Sequence, residues 1–175
     1  RALLLATDSC AAHCRYCFRR SFTDSGHGGI SDNELSDASE YLRTHGEISE
    51  VLISGGDPLT LAVERLANVF DNLRRFRSDL VLRVCTRLPI VSPDSVRQFL
   101  PILHARPPIW MVLQINHPDE LTTEVKACIE SMVGAGLPLL SQTVLLRGVN
   151  DSTEVLALLF RNLIGMRVKP YQLFQ

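Results

Sequence analysis

The sequence predicts an α/β protein in which a parallel sheet curls into a partial (βα)6, TIM-like barrel. Three observations predict it. Short apolar runs alternate with longer amphipathic ones, the order of repeated strand–helix units. The 175 residues suffice for one domain with a substantial core. Polar, chemistry-bearing residues collect where strands end and loops begin, as they do in such barrels. A doubly wound open sheet fits the alternation almost as well, and the third observation favours the barrel.

Strands are read at Leu3–Ala6, Val51–Ser54, Leu80–Thr86, Trp110–Ile115, Leu137–Leu146 and Val168–Phe174. The helices between them are read at Asp32–Thr44, Leu61–Arg75, Pro93–His104, Thr122–Gly134 and Ser152–Ile164. Ser31 or Asp32 starts the first helix, Ser92-Pro93 the third, and Asp151 or Ser152 the fifth; Gly134 and Gly136 stop the fourth. No linker, repeat or low-complexity tract interrupts the series. The chain opens on Arg1 rather than Met and closes inside a strand-like run. Residues 1–175 therefore read as one core domain, cut from a longer protein at both ends.

Net charge is −1, which argues against nucleic acid or an anionic membrane as an electrostatic partner. The apolar run Ala2–Ala6 is too short for a bilayer span or a signal peptide. Five cysteines, three of them crowded together, argue against a disulfide framework and for a reducing, cytoplasmic setting.

The crowded cysteines are the strongest signal. Cys10, Cys14 and Cys17 fall within eight residues, with the aromatic Tyr16 before the last. Three thiolates at this spacing can hold one metal centre and leave a coordination position open. His13 lies among them, so a Cys3His zinc site in a binding module is the rival reading. Zinc sites more often use two separated knuckles, and there is no second one. Cys85 and Cys128 stand alone in apolar segments and read as core thiols.

Gly55-Gly56-Asp57 follows the second strand. Two glycines let a backbone approach a ligand closely, and a carboxylate there could meet a ligand ammonium. The plain alternative is a strand-to-helix turn that Asp57 caps. Thr86-Arg87 ends strand three, Gln114 through His117 ends strand four, Gln142 lies in strand five with Arg147 after it, and Tyr171 lies in strand six. All would meet at one rim.

The pattern of three cysteines and an aromatic resembles the cluster signature of radical S-adenosylmethionine (SAM) enzymes. With it, in order, occur SGGDPL (Ser54–Leu59), TRLPIVSP (Thr86–Pro93), INHPDELT (Ile115–Thr122), QTVLLRGVND (Gln142–Asp151) and KPYQLFQ (Lys169–Gln175). Together they resemble the lysine 2,3-aminomutase family, including the branch that acts in modifying translation elongation factor P. The resemblance covers essentially the whole chain.

It implies a radical SAM core in which a reduced [4Fe-4S] cluster splits SAM into methionine and a 5′-deoxyadenosyl radical. That radical takes hydrogen from the β-carbon of an amino acid held on pyridoxal phosphate (PLP), whose nitrogen moves from C2 to C3. It implies Cys10, Cys14 and Cys17 as iron ligands and Tyr16 against the adenine of SAM. Gly55, Gly56 and Asp57 would hold the methionine end, Gln142 would meet SAM from the interior, and Arg19 would take the substrate carboxylate. Arg15 and Arg20 read as solvated loop charges; Asn116 and His117 could contact ligand or shape the turn before Pro118; His27, His45 and His104 read as surface residues. An amino acid substrate and an electron donor such as flavodoxin or ferredoxin are the implied partners, with self-association left open.

Two departures stand out. The family places a His that helps hold SAM where this chain has Gln114, which can hydrogen-bond but not titrate in the working range. The family's PLP lysine, in a glycine-rich segment, and its acidic residues for the substrate side-chain amine fall after Gln175. Neither Lys126 nor Lys169 has such a context, so the PLP lysine lies outside this chain. A radical SAM enzyme without PLP is the rival within enzymes. Ser25-Gly26-His27-Gly28-Gly29 reads as a flexible loop.

Overall fold

The computed structural model describes residues 1–175. Six parallel strands form one sheet: β1 (Ala2–Thr7), β2 (Glu50–Gly55), β3 (Val81–Thr86), β4 (Ile109–Gln114), β5 (Leu139–Val144) and β6 (Val168–Phe174). Their spatial order is their sequence order, with every neighbour parallel. A doubly wound sheet needs a point where strand order reverses, and there is none. Crossovers of one hand then stack every helix on one face, and the other face becomes the hollow of a partial barrel.

Alternation along the strands separates the two faces. Val51 and Ile53, Leu82 and Val84, Met111 and Leu113, Leu139 and Val168 are buried toward the helices. With Leu35, Leu66, Phe70, Ile129 and Leu159 of the helix layer they make one continuous core. The intervening residues Leu52, Cys85, Val112, Gln114, Gln142 and Val144 face a cavity instead.

The helices that match the sequence reading are α1 (Asp32–Thr44), α2 (Val63–Arg74), α5 (Thr123–Gly134) and α6 (Thr153–Gly165). Ser31 and Glu34 cap α1 reciprocally, while Thr122 and Ser152 cap α5 and α6. The helix expected at Pro93–His104 is broken. A short α3 (Leu88–Val91), a 3-10 stretch (Pro93–Phe99) and a short α4 (Leu100–His104) take its place. Pro89, Pro93 and Pro101 each sit in the first turn of a new piece, where the missing N–H costs nothing. The fifth strand stops at Val144 because Asn150, fully buried, takes over the pairing. Its amide donates to the carbonyls of Val144 (2.8 Å) and Asn116 (2.7 Å) and accepts from Leu146 N–H (2.7 Å).

Tyr171 is not at the rim. Ser141 pairs with Pro170 and Gln142 with Gln172, so Tyr171 is the extra residue of a bulge. Its ring lies 5.0 Å from the Arg83 guanidinium, whose other neighbour is Trp110 at 5.9 Å. Arg83 and Arg1 both pair with Glu50 at the start of β2. This charged, aromatic floor joins β6 to β2 and β3 below the cavity. No helix is long and apolar enough to cross a membrane.

Candidate active site

The cysteine loop leaves β1 after Thr7 and returns at Ile30, whose N–H donates to Ala6 O, as a clasped excursion. Asp8, 2% exposed, accepts Gly26 N–H (2.9 Å), His27 N–H (3.0 Å) and Ser25 Oγ–H (3.2 Å). Asp8 N–H donates to Gly28 O (3.1 Å), and Thr7 forms a bridge with Gly29. The glycine-rich stretch expected to be flexible is therefore tied down, with Gly26 and Gly28 supplying the positive φ angles that a tight return needs. Burial pushes the Asp8 carboxyl up, but bonds to Gly28, Ser25, Gly26 and His27 outweigh it and hold it below the usual range. Asp8→Ala is expected to free this return and to raise the rate of iron loss to a chelator several-fold. Unchanged loss would show that the loop stands without its clasp.

All three loop cysteines are free, half-buried thiols lining one cavity of about 950 Å³. Burial, then the charge of Asp57 and the thiols of Cys17 and Cys14, pushes Cys10 up to about 11. Bringing three thiolates together is costly without a cation, and a bound metal centre would supply one. His13, by contrast, directs Nε2 at Asp24 (3.2 Å) with an exposed side chain. It is not drawn in as a fourth ligand, and no three metal-binding side chains are gathered for a single ion. The Tyr16 hydroxyl is buried in the cavity wall beside the Cys14 thiol, with no oxygen or nitrogen partner. Three thiols with no closing fourth ligand, beside such a hydroxyl, fit a cluster with one open iron and a ligand beside it.

Tyr16, Gly55, Gly56, Asp57, Gln114, Gln142 and Arg19 line the same cavity. The residues nominated for cluster, SAM and substrate thus line one space, whereas Asn116, His117, Arg147 and Tyr171 do not. Their contacts refine the roles. Arg19 Nε donates to Gly55 O (2.9 Å) and Nη2 to Ser54 Oγ (2.7 Å), with no carboxylate beside it. It straps the cysteine loop to the end of β2. Gln142 donates to Gln172 Oε1 (2.6 Å), a partner that sequence reasoning misses. Gln114 pairs in register with Gln142.

The two glycines are demanded by the chain itself. A Cβ on Gly55 would sit 2.1 Å from Thr7 O, and one on Gly56 would sit 2.0 Å from Ser9 O. Gly56 N–H donates to Thr7 O (2.6 Å) and Asp57 N–H to Ser9 O (2.7 Å). The root of the cysteine loop lies against the Gly-Gly turn. The Asp57 carboxylate, in a residue 5% exposed, accepts Leu59 N–H (3.0 Å), Thr86 Oγ–H (2.7 Å), Arg87 N–H (2.8 Å) and Leu88 N–H (3.1 Å). Burial pushes its carboxyl up, against the pull of these donors.

Arg87 is the residue most undervalued by sequence. It lines the cavity, pairs with Glu120 (2.5 Å) and holds its guanidinium 5.7 Å from the Tyr16 ring centre. Its one sequence signal is its place at a strand's C-terminal end. Asn116 and His117 shape the turn: Glu120 Oε2 accepts both of their backbone N–H groups (2.6 and 3.2 Å), and Asn116 Oδ1 accepts Val144 N–H. Arg147 does not line the cavity. Cys85 does, as a lone thiol that burial pushes up to about 11.

The family model of the radical SAM superfamily matches residues 4–160. A Treponema pallidum protein is 45% identical over 176 residues, covering 100% of this chain and 50% of that protein. One from Fusobacterium nucleatum is 38% identical over 176 residues, covering 100% and 41%. Both carry the name L-lysine 2,3-aminomutase, the first provisionally. The chain thus spans about half the length of the curated relatives it matches. Among solved structures, native anSMEcpe with bound AdoMet superposes with a TM-score of 0.74 at 13% identity, over 98% of this chain and 50% of that one. Streptococcus suis SuiB bound to S-adenosylmethionine gives 0.70 at 14%, over 99% and 39%. At such identities the likeness concerns the fold.

Proposed function

The chain belongs to the radical SAM superfamily, is homologous along its length to proteins named lysine 2,3-aminomutase, and on that premise we propose that it is the core of an amino acid 2,3-aminomutase. Superfamily membership implies a [4Fe-4S] cluster and SAM. The observation that carries the proposal is the shared cavity, lined at once by three free thiols, the Gly-Gly turn and interior glutamines. When bound, the cluster supplies the electron that opens a carbon–sulfur bond of SAM, and PLP supplies a conjugated ring beside the migrating nitrogen.

The tasks proposed for the chain's own residues are those the family resemblance implies, and their surroundings support them. Cys10, Cys14 and Cys17 give thiolates to three irons. Tyr16 offers a flat face and a buried hydroxyl to the adenine side of SAM. The Gly55-Gly56 backbone, Gln114 and Gln142 supply hydrogen bonds without charge. Arg19, already oriented by Gly55 and Ser54, presents a guanidinium to the substrate carboxylate. Leu52, Val112 and Val144 give the cavity an apolar wall.

The test is anaerobic reconstitution of the full-length protein with iron and sulfide, then reduction with SAM, PLP and L-lysine. Expected are thiolate-to-iron charge-transfer absorption, 5′-deoxyadenosine and a 3-amino product. Reconstitution with zinc alone, and no SAM cleavage, would refute the reading. Formation of 5′-deoxyadenosine with no need for PLP would favour a radical SAM enzyme of another substrate. No lysine of this chain lines the cavity, and Lys126 and Lys169 are exposed on α5 and β6. Borohydride reduction with PLP is therefore expected to leave both unlabelled. Stoichiometric labelling of either would put the PLP site inside this chain.

A further inference from the structure

We infer that Asp57 is a positioning residue rather than a ligand to the methionine ammonium of SAM, and that it acts by fixing Thr86–Leu88 so that Arg87 lies against Tyr16. The inference rests on the reading that this cavity binds SAM. It concerns how that binding is built.

A carboxylate has about four good acceptor directions. Those of Asp57 are met by four protein donors at 2.7 to 3.1 Å, from Leu59, Thr86, Arg87 and Leu88. Three are backbone N–H groups that open the turns at Pro58–Thr60 and Leu88–Val91, where unpaired donors need acceptors. Leu88 N–H has a second acceptor in Thr86 Oγ (3.0 Å), but a ligand ammonium that displaced Leu59 N–H or Arg87 N–H would leave a buried donor unpaired. The carboxylate is thus spent on joining the β2 turn to the end of β3.

What that junction sets is the start of the Arg87 side chain. From a backbone N–H held by Asp57, Arg87 reaches Glu120 (2.5 Å), the carbonyl of Gln114 (3.3 Å) and the Tyr16 ring. Tyr16 stands between Cys14 and Cys17. One chain of contacts therefore runs from Asp57 through Arg87 to the cysteine loop. Loss of Asp57 should disturb the whole ligand seat, not the ammonium alone.

The experiment is a binding cycle on the reconstituted full-length protein, with SAM and its analogue lacking the α-amino group, each against wild type and Asp57→Asn. A direct contact makes the substitution harmful only to SAM. Positioning makes both ligands lose affinity by the same factor, within about threefold. A second cycle, Asp57→Asn with Arg87→Gln, is expected to be non-additive, since both act on one contact chain. The loss confined to SAM, or additive losses with Arg87→Gln, would overturn the inference. If Asp57→Asn fails to take up a cluster, Thr86→Val removes one arm of the junction while keeping the carboxylate, and carries the same comparison. Absence of SAM binding by wild type would instead refute the proposed function.

Discussion

Cys14→Ala is expected to abolish reductive cleavage of SAM, with cluster content falling to background, and Cys10→Ala and Cys17→Ala are expected to match it. The argument is one of valence and geometry. The three thiols are the only cysteines of the loop, they line one cavity, and the nearest alternative donor, His13, is turned to Asp24. With one thiolate gone, a cluster keeps two protein anchors and gains a second open iron, which neither holds it nor directs SAM to one place. The effect should exceed about 10³-fold in 5′-deoxyadenosine formation, because positioning alone contributes on that scale and here the reacting centre itself is lost. Cys85→Ala and Cys128→Ala are the controls. Burial pushes both thiols up to about 11, and each should cost about 1 kcal/mol of stability while iron content stays unchanged. Full cluster content in Cys14→Ala would sink the assignment.

Much of this site is legible in the amino-acid sequence, for a physical reason. Chemistry needs particular residue types at strand ends, and those stand out against apolar strands. Cys10, Cys14, Cys17, Gly55, Gly56, Asp57, Gln114 and Gln142 stand out in this way and line one cavity. Fold class is legible because short apolar strands and longer amphipathic helices have different periods. What escapes is anything set by partners distant in sequence. Asp8 looks like any acidic residue after a strand, until Gly26 and His27 return to it. Tyr171 sits one position from Gln172, and only a bulge decides which faces the cavity. The helix at Pro93–His104 has helical periodicity but three prolines in its neighbourhood, and proline's missing donor wins. In sequence the Gly-Gly turn reads as room for a ligand, whereas its nearest neighbour is the chain's own Thr7–Ser9 backbone.

That close approach yields the second large effect. Gly56→Ala is expected to cost about 3–5 kcal/mol and to leave the protein with little cluster, although alanine is the smallest side chain that could be added. The new Cβ would lie 2.0 Å from Ser9 O, 2.6 Å from Ser9 C and 2.7 Å from Asp8 C. All three are backbone atoms, so no side chain can turn aside to make room. Nor can the backbone retreat cheaply. Gly56 N–H and Asp57 N–H are bonded to Thr7 O and Ser9 O across the same gap, and opening it breaks both bonds. Ser9 immediately precedes Cys10, so the displacement passes directly to the first of the proposed iron ligands. Gly55→Ala should be at least as harmful, since φ there is +135°, outside what an L side chain accepts, and its Cβ would meet Thr7 O at 2.1 Å. Gly134→Ala provides the contrast. Gly134 closes α5 with nothing within 4 Å of the added Cβ, so alanine there should raise stability by about 0.5–1 kcal/mol. Thermal unfolding and iron content, measured together on the three variants, check the expectation. Normal iron content in Gly56→Ala would mean that the loop root can move away from β2 without disturbing Cys10, and that the close approach is incidental to the cluster site.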